Sequence, residues 1–165
     1  YKSARPLIGT SVKRVAVLDV VRSVEIERDA RVVRQQFADV AHHAANGVHR
    51  GVTFEVLDDD GSRCRYRQVS RVGPLAFRQE LTLEHAGDGP LVNRIIAEQF
   101  TGGAITFVVQ PLGPGRSVVE ARLVAPLAGV MRGAAPLLRT RVGKQLAAAL
   151  AEDKDDLERG DYGLT

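Results

Sequence analysis

Apolar and polar residues along this chain change period twice, and the changes mark out its elements. Residues 15–27 are rich in Val and end in the alternation Val24, Glu25, Ile26, Glu27, the pattern of a half-buried strand. Asp29 then stands as an N-cap before a predicted helix over 30–45, where Val33, Phe37, Val40 and Ala44 recur at helical spacing and Asn46-Gly47 stops the run. From Val52 to Ala125 the period becomes two. Turn signals at 58–61, 73–74, 87–90, 102–103 and 111–115 divide that stretch into six strands, over 52–57, 63–72, 75–84, 91–99, 104–110 and 117–125. Connections this short require antiparallel neighbours, because parallel pairs need crossovers of about a dozen residues or more. The last segment, 127–157, is predicted as one long helix whose first part is loosened by Gly129, Gly133 and Pro136. Its apolar stripe is Leu138, Val142, Leu146, Ala149 and Leu157.

Alternation also assigns faces, since charge collects on one side of each strand. Arg63, Arg65 and Arg67 outward leave Cys64, Tyr66, Gln68 and Ser70 inward, and Arg78, Glu80, Thr82 and Glu84 leave Phe77, Gln79, Leu81 and Leu83 inward. Arg94 and Glu98 turn Asn93, Ile95, Ala97 and Gln99 in, and Glu120 and Arg122 do so for Val119, Ala121 and Leu123. The inner face is therefore apolar but carries four amides, Gln68, Gln79, Asn93 and Gln99. Burying a polar group without a partner costs ~1–3 kcal/mol, so these four must be wet or paired, as in a small-molecule cavity. The candidate ligand-contacting set is Tyr66, Gln68, Phe77, Gln79, Asn93, Ile95, Gln99, Phe107 and Leu123 on the sheet, with Leu138 and Val142 on the last helix.

Composition narrows the class. A chain of 165 residues, 44% hydrophobic and 26% charged, has the size and balance of one globular domain. Residues 19–165 are read as that domain, with Tyr1 to Leu18 as an N-terminal extension or an extra strand. The net charge of +3 comes from arginines interleaved with acids, which is a solvated face and not a track for nucleic acid. Arg132, Arg139, Arg141 and Lys144 on the last helix read the same way. No apolar run approaches the ~18 residues of a membrane span. The single cysteine, Cys64, rules out an internal disulfide and a Cys-rich metal site, and fits a reducing, cytoplasmic setting.

The order of one strand, a helix, six antiparallel strands and a long amphipathic helix resembles the START/Bet v 1-like (SRPBCC) superfamily over Val20 to Leu157. Val48-His49, Arg65-Tyr66, Val72-Gly73-Pro74-Leu75 and Leu150-Ala151-Glu152-Asp153 are phrases similar to those of its members. The resemblance implies an α+β helix-grip fold: a curved antiparallel sheet of about seven strands closed by the C-terminal helix over a cavity. It also implies a hydrophobic partner molecule such as a lipid, polyketide or aromatic metabolite, bound without a cofactor. In such a pocket Tyr66, Gln68 or a histidine would move protons in cyclase or aromatase chemistry.

An alternative rests on crowded histidines. Three of the four fall within eight positions, His42, His43 and His49. The ring-hydroxylating members of the superfamily hold Fe2+ with Asp, two residues, His, four residues, His and a late carboxylate. Asp39 and His42 match the first part, His49 arrives late, and Asp153 is the candidate carboxylate, so the implied metal set is His42, His49 and Asp153, with His43 and Asp39 as further candidates. That reading needs a separate electron donor. The metal-free reading of His42 and His43 is a favourable position at a helix C-terminus. Oligomeric state has no marker in the sequence.

Overall fold

The computed structural model describes residues 15–163. Seven strands form one antiparallel sheet: β1 (Ala16–Ile26), β2 (Val52–Asp59), β3 (Arg63–Val72), β4 (Leu75–Glu84), β5 (Leu91–Glu98), β6 (Ala104–Gly113) and β7 (Arg116–Leu127). Helices α1 (Ala30–Ala38) and α2 (Val40–Asn46) link β1 to β2, and α3 (Ala135–Arg159) follows β7. The order across the sheet is β1-β7-β6-β5-β4-β3-β2. Six strands thus form the expected meander, and β1 closes it by pairing with β7, Leu18 opposite Ala125 and Val20 opposite Leu123. Register shifts in β2 at Val56/Asp58, in β5 between Ile95 and Ala97 opposite Glu80/Leu81, and in β6 at Pro111/Gly113 bend the sheet, as bulges do.

The predicted helix over 30–45 is two helices. Asp39, at φ −89° and ψ 77°, leaves the helical region, and its carboxylate accepts from the His42 backbone N–H at 2.9 Å, so it caps α2. α2 ends at Gly47 with φ 56°, the left-handed conformation that glycine adopts without cost. The predicted helix over 127–157 also begins too early. β7 continues to Leu127, a 3-10 turn occupies Gly129–Arg132, and α3 starts only at Ala135, with Pro136 in its first turn where no backbone donor is needed. Residues 16–18, placed before the domain in the sequence reading, open β1; residues 1–14 lie outside the described residues.

α3 runs along β1 in the same direction. Gly143 lies over Val20, Lys154 donates to the Glu25 carbonyl at 2.7 Å, and Glu158 accepts from the Glu27 N–H at 2.7 Å. Its other side, and the helices α1 and α2, face the concave surface of the sheet. Among the described residues no helix is long and apolar enough to cross a membrane.

Candidate functional site: an apolar cavity with a protonatable wall

Between α3 and the sheet lies a cavity of about 130 Å³. A single water needs only ~10–15 Å³, so this space is sized for a molecule and is not a packing defect. Its apolar walls come from every layer: Phe37 and Val40 on α1 and α2, Phe54, Phe77, Phe107 and Leu123 on the sheet, and Val142, Leu146, Ala149 and Leu150 on α3.

The inward amides are satisfied mainly by one another. Tyr66 donates its O–H to Asn93 Oδ1 at 2.8 Å, and Asn93 passes a donor to the Ile105 carbonyl at 3.2 Å. Gln68 donates to Gln79 Oε1 at 2.8 Å and to Ser70 Oγ at 3.4 Å. Burial raises the Tyr66 hydroxyl above its ordinary value, so it stays neutral and acts as a donor. Gln68 faces Gln79 directly across the β3–β4 ladder, whereas Tyr66 on β3 reaches over β4 to Asn93 on β5.

One wall is different. Asp153, two turns of α3 beyond Leu146, is 3% exposed, and its Oδ1 accepts from Gln36 Nε2 at 3.1 Å. The same oxygen lies 3.0 Å from His43 Nε2 and 3.5 Å from His49 Nε2. His43 Nδ1 is 2.7 Å from the Asp39 carbonyl, an atom that only accepts, so Nδ1 carries a proton. A neutral His43 would then point its Nε2 lone pair at a carboxylate, and the pair is matched only when it holds one further proton. Burial disfavours a charged His43, but the hydrogen bond and charge of Asp153, helped by the Asp39 carbonyl and by Asp156, outweigh that, and the pKa is raised above the ordinary histidine value. His49 stacks on His43 with ring centres 5.2 Å apart, and its Nδ1 is 3.1 Å from Glu152 Oε2. Phe54 touches both imidazoles and Tyr66, which joins this wall to the amide floor.

Of the eleven ligand-contacting residues expected from the sequence, Tyr66, Gln68, Phe77, Gln79, Asn93, Phe107, Leu123 and Val142 line the cavity, and Ile95, Gln99 and Leu138 do not. Ile95 is 2% exposed, packed in the core beside Leu81 on the adjacent strand. Gln99 points outward: Glu98 and Phe100 take positive φ values of 67° and 64°, which breaks the alternation, and Gln99 Oε1 instead accepts from the Arg78 N–H at 2.8 Å. Phe100 takes the inward place and packs on Phe77 at 5.2 Å. Leu138 is buried near the start of α3, one turn before the helix meets the cavity. Phe37, Val40, Leu146 and Ala149 were already visible as periodic apolar positions and Phe54 falls within the predicted strand over 52–57, whereas Phe100 and Gln145 carried no pattern that would have marked them.

The histidine assignment changes as well. His42 turns away, its Nε2 2.8 Å from Asp156 and its Nδ1 3.0 Å from Asn46, because adjacent residues on a helix point about 100° apart. The three groups that converge, with ligand atoms within 4.8 Å of one another, are His43, His49 and Asp153. Two imidazoles and a carboxylate suit a divalent cation by donor type. Both nitrogens of each imidazole nonetheless already face an acceptor, Asp39 and Asp153 for His43 and Glu152 and Asp153 for His49, and none of the buried atoms left without a partner among the described residues belongs to the cluster, so nothing in this geometry supports iron. A shared proton satisfies the same atoms.

Sequence comparison finds no matching family model and no matching characterised protein. Solved structures with the same fold are many. A protein from Thermus thermophilus superposes with a TM-score of 0.73 at 16% identity, covering 84% of this chain and 96% of its own. The Zhui aromatase/cyclase from Streptomyces sp. R1128 gives 0.71 at 17%, covering 90% and 98%. A START superfamily protein from Mycobacterium smegmatis gives 0.70 at 15%, covering 86% and 97%. The fold of this chain is that of the START/Bet v 1-like superfamily, as its element order implied.

Proposed function

We propose that the protein binds a hydrophobic small molecule of the lipid, polyketide or aromatic class in this cavity, and that the His43–Asp153 pair exchanges protons with it in cyclase or aromatase-type chemistry. A single observation carries the reading: a buried imidazole–carboxylate pair faces a largely apolar, molecule-sized space. An apolar chamber with a few placed polar groups is the usual form of a small-molecule site, and perturbed titratable groups within one are candidates for acid–base work. The similarity to an aromatase/cyclase fold supports the same direction without deciding the chemistry. The pair would give its shared proton to a carbonyl oxygen and, so deprotonated, take one back from the neighbouring carbon, an enolisation with no change of oxidation state and no cofactor. Tyr66 gives its one O–H proton to Asn93 Oδ1, so its oxygen would meet the ligand as an acceptor. A cytoplasmic setting stays part of this proposal.

Two measurements test it. Extraction of the purified protein and mass spectrometry should find a bound apolar molecule, absent from an Ala149→Phe variant that fills the chamber. Wild type should also accelerate hydrogen–deuterium exchange at the activated methylene of a phenyl-bearing 1,3-diketone. His43→Gln should lower that rate at least ~100-fold, the usual contribution of a general acid or base. An exchange rate indifferent to His43 removes the catalytic part and leaves a binding protein.

A further inference from the structure

The cavity contains one polar group with nothing to bond to. Gln145 lines it from α3, and its Nε2 is buried without a hydrogen-bond partner. Among the described residues three other buried side-chain atoms share that condition, on Gln36, His85 and Ser117, and none of those residues lines the cavity. The protein comes near the amide without meeting it. Facing it is Gly51, where even a Cβ would stand 3.9 Å from Nε2, and the Gly51 carbonyl is already taken by the Arg71 N–H at 2.9 Å. A buried donor left unmade is costly, so a residue with a free N–H at a cavity wall is matched by what the cavity holds.

Position gives the inference its content. Gln145, Ala149 and Asp153 are spaced four residues apart on α3 and share one face, which places Gln145 ~12 Å along the helix axis from the His43–Asp153 pair. Small Ala149 lies between them and leaves room for a flat or extended body. We infer that Gln145 is a specificity-determining residue: its Nε2 donates to a carbonyl, ether or similar acceptor oxygen of the ligand, at a station separate from the protonatable wall. The ligand class that follows is an apolar molecule bearing an acceptor oxygen remote from the group that meets His43. This rests on the proposal that the cavity holds an apolar ligand.

The test uses two probes of nearly the same shape, fluorene and 9-fluorenone, which differ by one carbonyl oxygen. Their dissociation constants are measured by displacement of 8-anilinonaphthalene-1-sulfonate from wild type, Gln145→Met and Ala149→Phe. Because a ratio of ratios cancels the difference in hydration, the preference for fluorenone over fluorene in wild type should exceed that in Gln145→Met by ~3- to 10-fold, the effect of one neutral hydrogen bond. Fluorene itself should bind both proteins alike, and Ala149→Phe should bind neither probe. An unchanged preference in Gln145→Met with both probes bound overturns the role of Gln145 while leaving the binding proposal intact. If fluorene fails to bind wild type at all, the binding proposal fails and this inference falls with it.

Discussion

His43 Nε2 lies 3.0 Å from Asp153 Oδ1 while its other nitrogen is committed to the Asp39 carbonyl, so one proton is held between an imidazole on α2 and a carboxylate on α3. This contact ties the connection between β1 and β2 to the C-terminal helix, 110 residues apart in sequence. The folded pKa of His43 is raised, so the stabilisation is present in full below the unfolded value of about 6.5 and fades as pH rises through the folded value. NMR titration of the His43 ring should show a midpoint above that of a free histidine, and Asp153→Asn should bring it down. A midpoint that does not respond to Asp153→Asn would sink the shared-proton description.

The distinction between core and cavity wall predicts a split between stability and binding. Ile95→Ala removes a side chain from the closed core and should cost ~2–5 kcal/mol of unfolding free energy while leaving the affinity for fluorene unchanged. Phe77→Ala, at the cavity wall against Phe100, should change that affinity. Urea unfolding and probe titration on both variants settle the assignment; equal effects on binding would place Ile95 back in the wall.

Two glycines should answer a methyl group in opposite ways. At Gly103 a Cβ would stand 2.7 Å from the Val124 carbonyl oxygen and 2.9 Å from the Ala125 Cβ, against sheet backbone that cannot yield, so Gly103→Ala should destabilise by ~1–3 kcal/mol or more. At Gly143 the Cβ would displace only the mobile tip of Arg22 and meet Val20 at an ordinary 3.5 Å. Helix propensity favours alanine there by about 1 kcal/mol, so Gly143→Ala should be neutral or stabilising in thermal melts.

Tyr66→Phe strips the donor from Asn93 Oδ1 in a buried setting. The expected loss is ~1–3 kcal/mol, or a melting temperature lower by several degrees for a domain of this size. Restoring balance with Asn93→Leu in the same chain should recover part of it, because the oxygen left without its donor is then removed; a double variant less stable than Tyr66→Phe alone would show that Asn93 acts chiefly through the Ile105 carbonyl.

Much of this architecture was legible because strands with charge on one face report their own orientation. Arg63, Arg65, Glu84 and Arg94 are exposed and Cys64, Tyr66, Leu83 and Asn93 buried, as alternation requires. Legibility failed where a local conformation overrode the period. Asp39 resembles an ordinary helix residue until its side chain bonds to the His42 N–H and splits the helix. Gln99 follows the two-residue rhythm until Glu98 enters the left-handed region. The choice between His42 and His43 depends on how α2 is rotated after that break, which no pattern in a seven-residue helix determines. Gln145 carries no mark in the sequence, since a one-dimensional pattern does not report a missing partner.

α3 has the mechanics of a beam on two bearings. Its early turns rest on β1 at Gly143 and Val20, its late turns are pinned by Asp153, Lys154 and Glu158, and the stretch around Ala149 crosses open space. A guest beneath that span becomes a third support, and occupancy is converted into resistance to heat. At a hundredfold excess over its dissociation constant a ligand adds about 2.7 kcal/mol to unfolding. The melting curve of this protein is thus a gauge of what lies under the helix, readable before the guest has been identified.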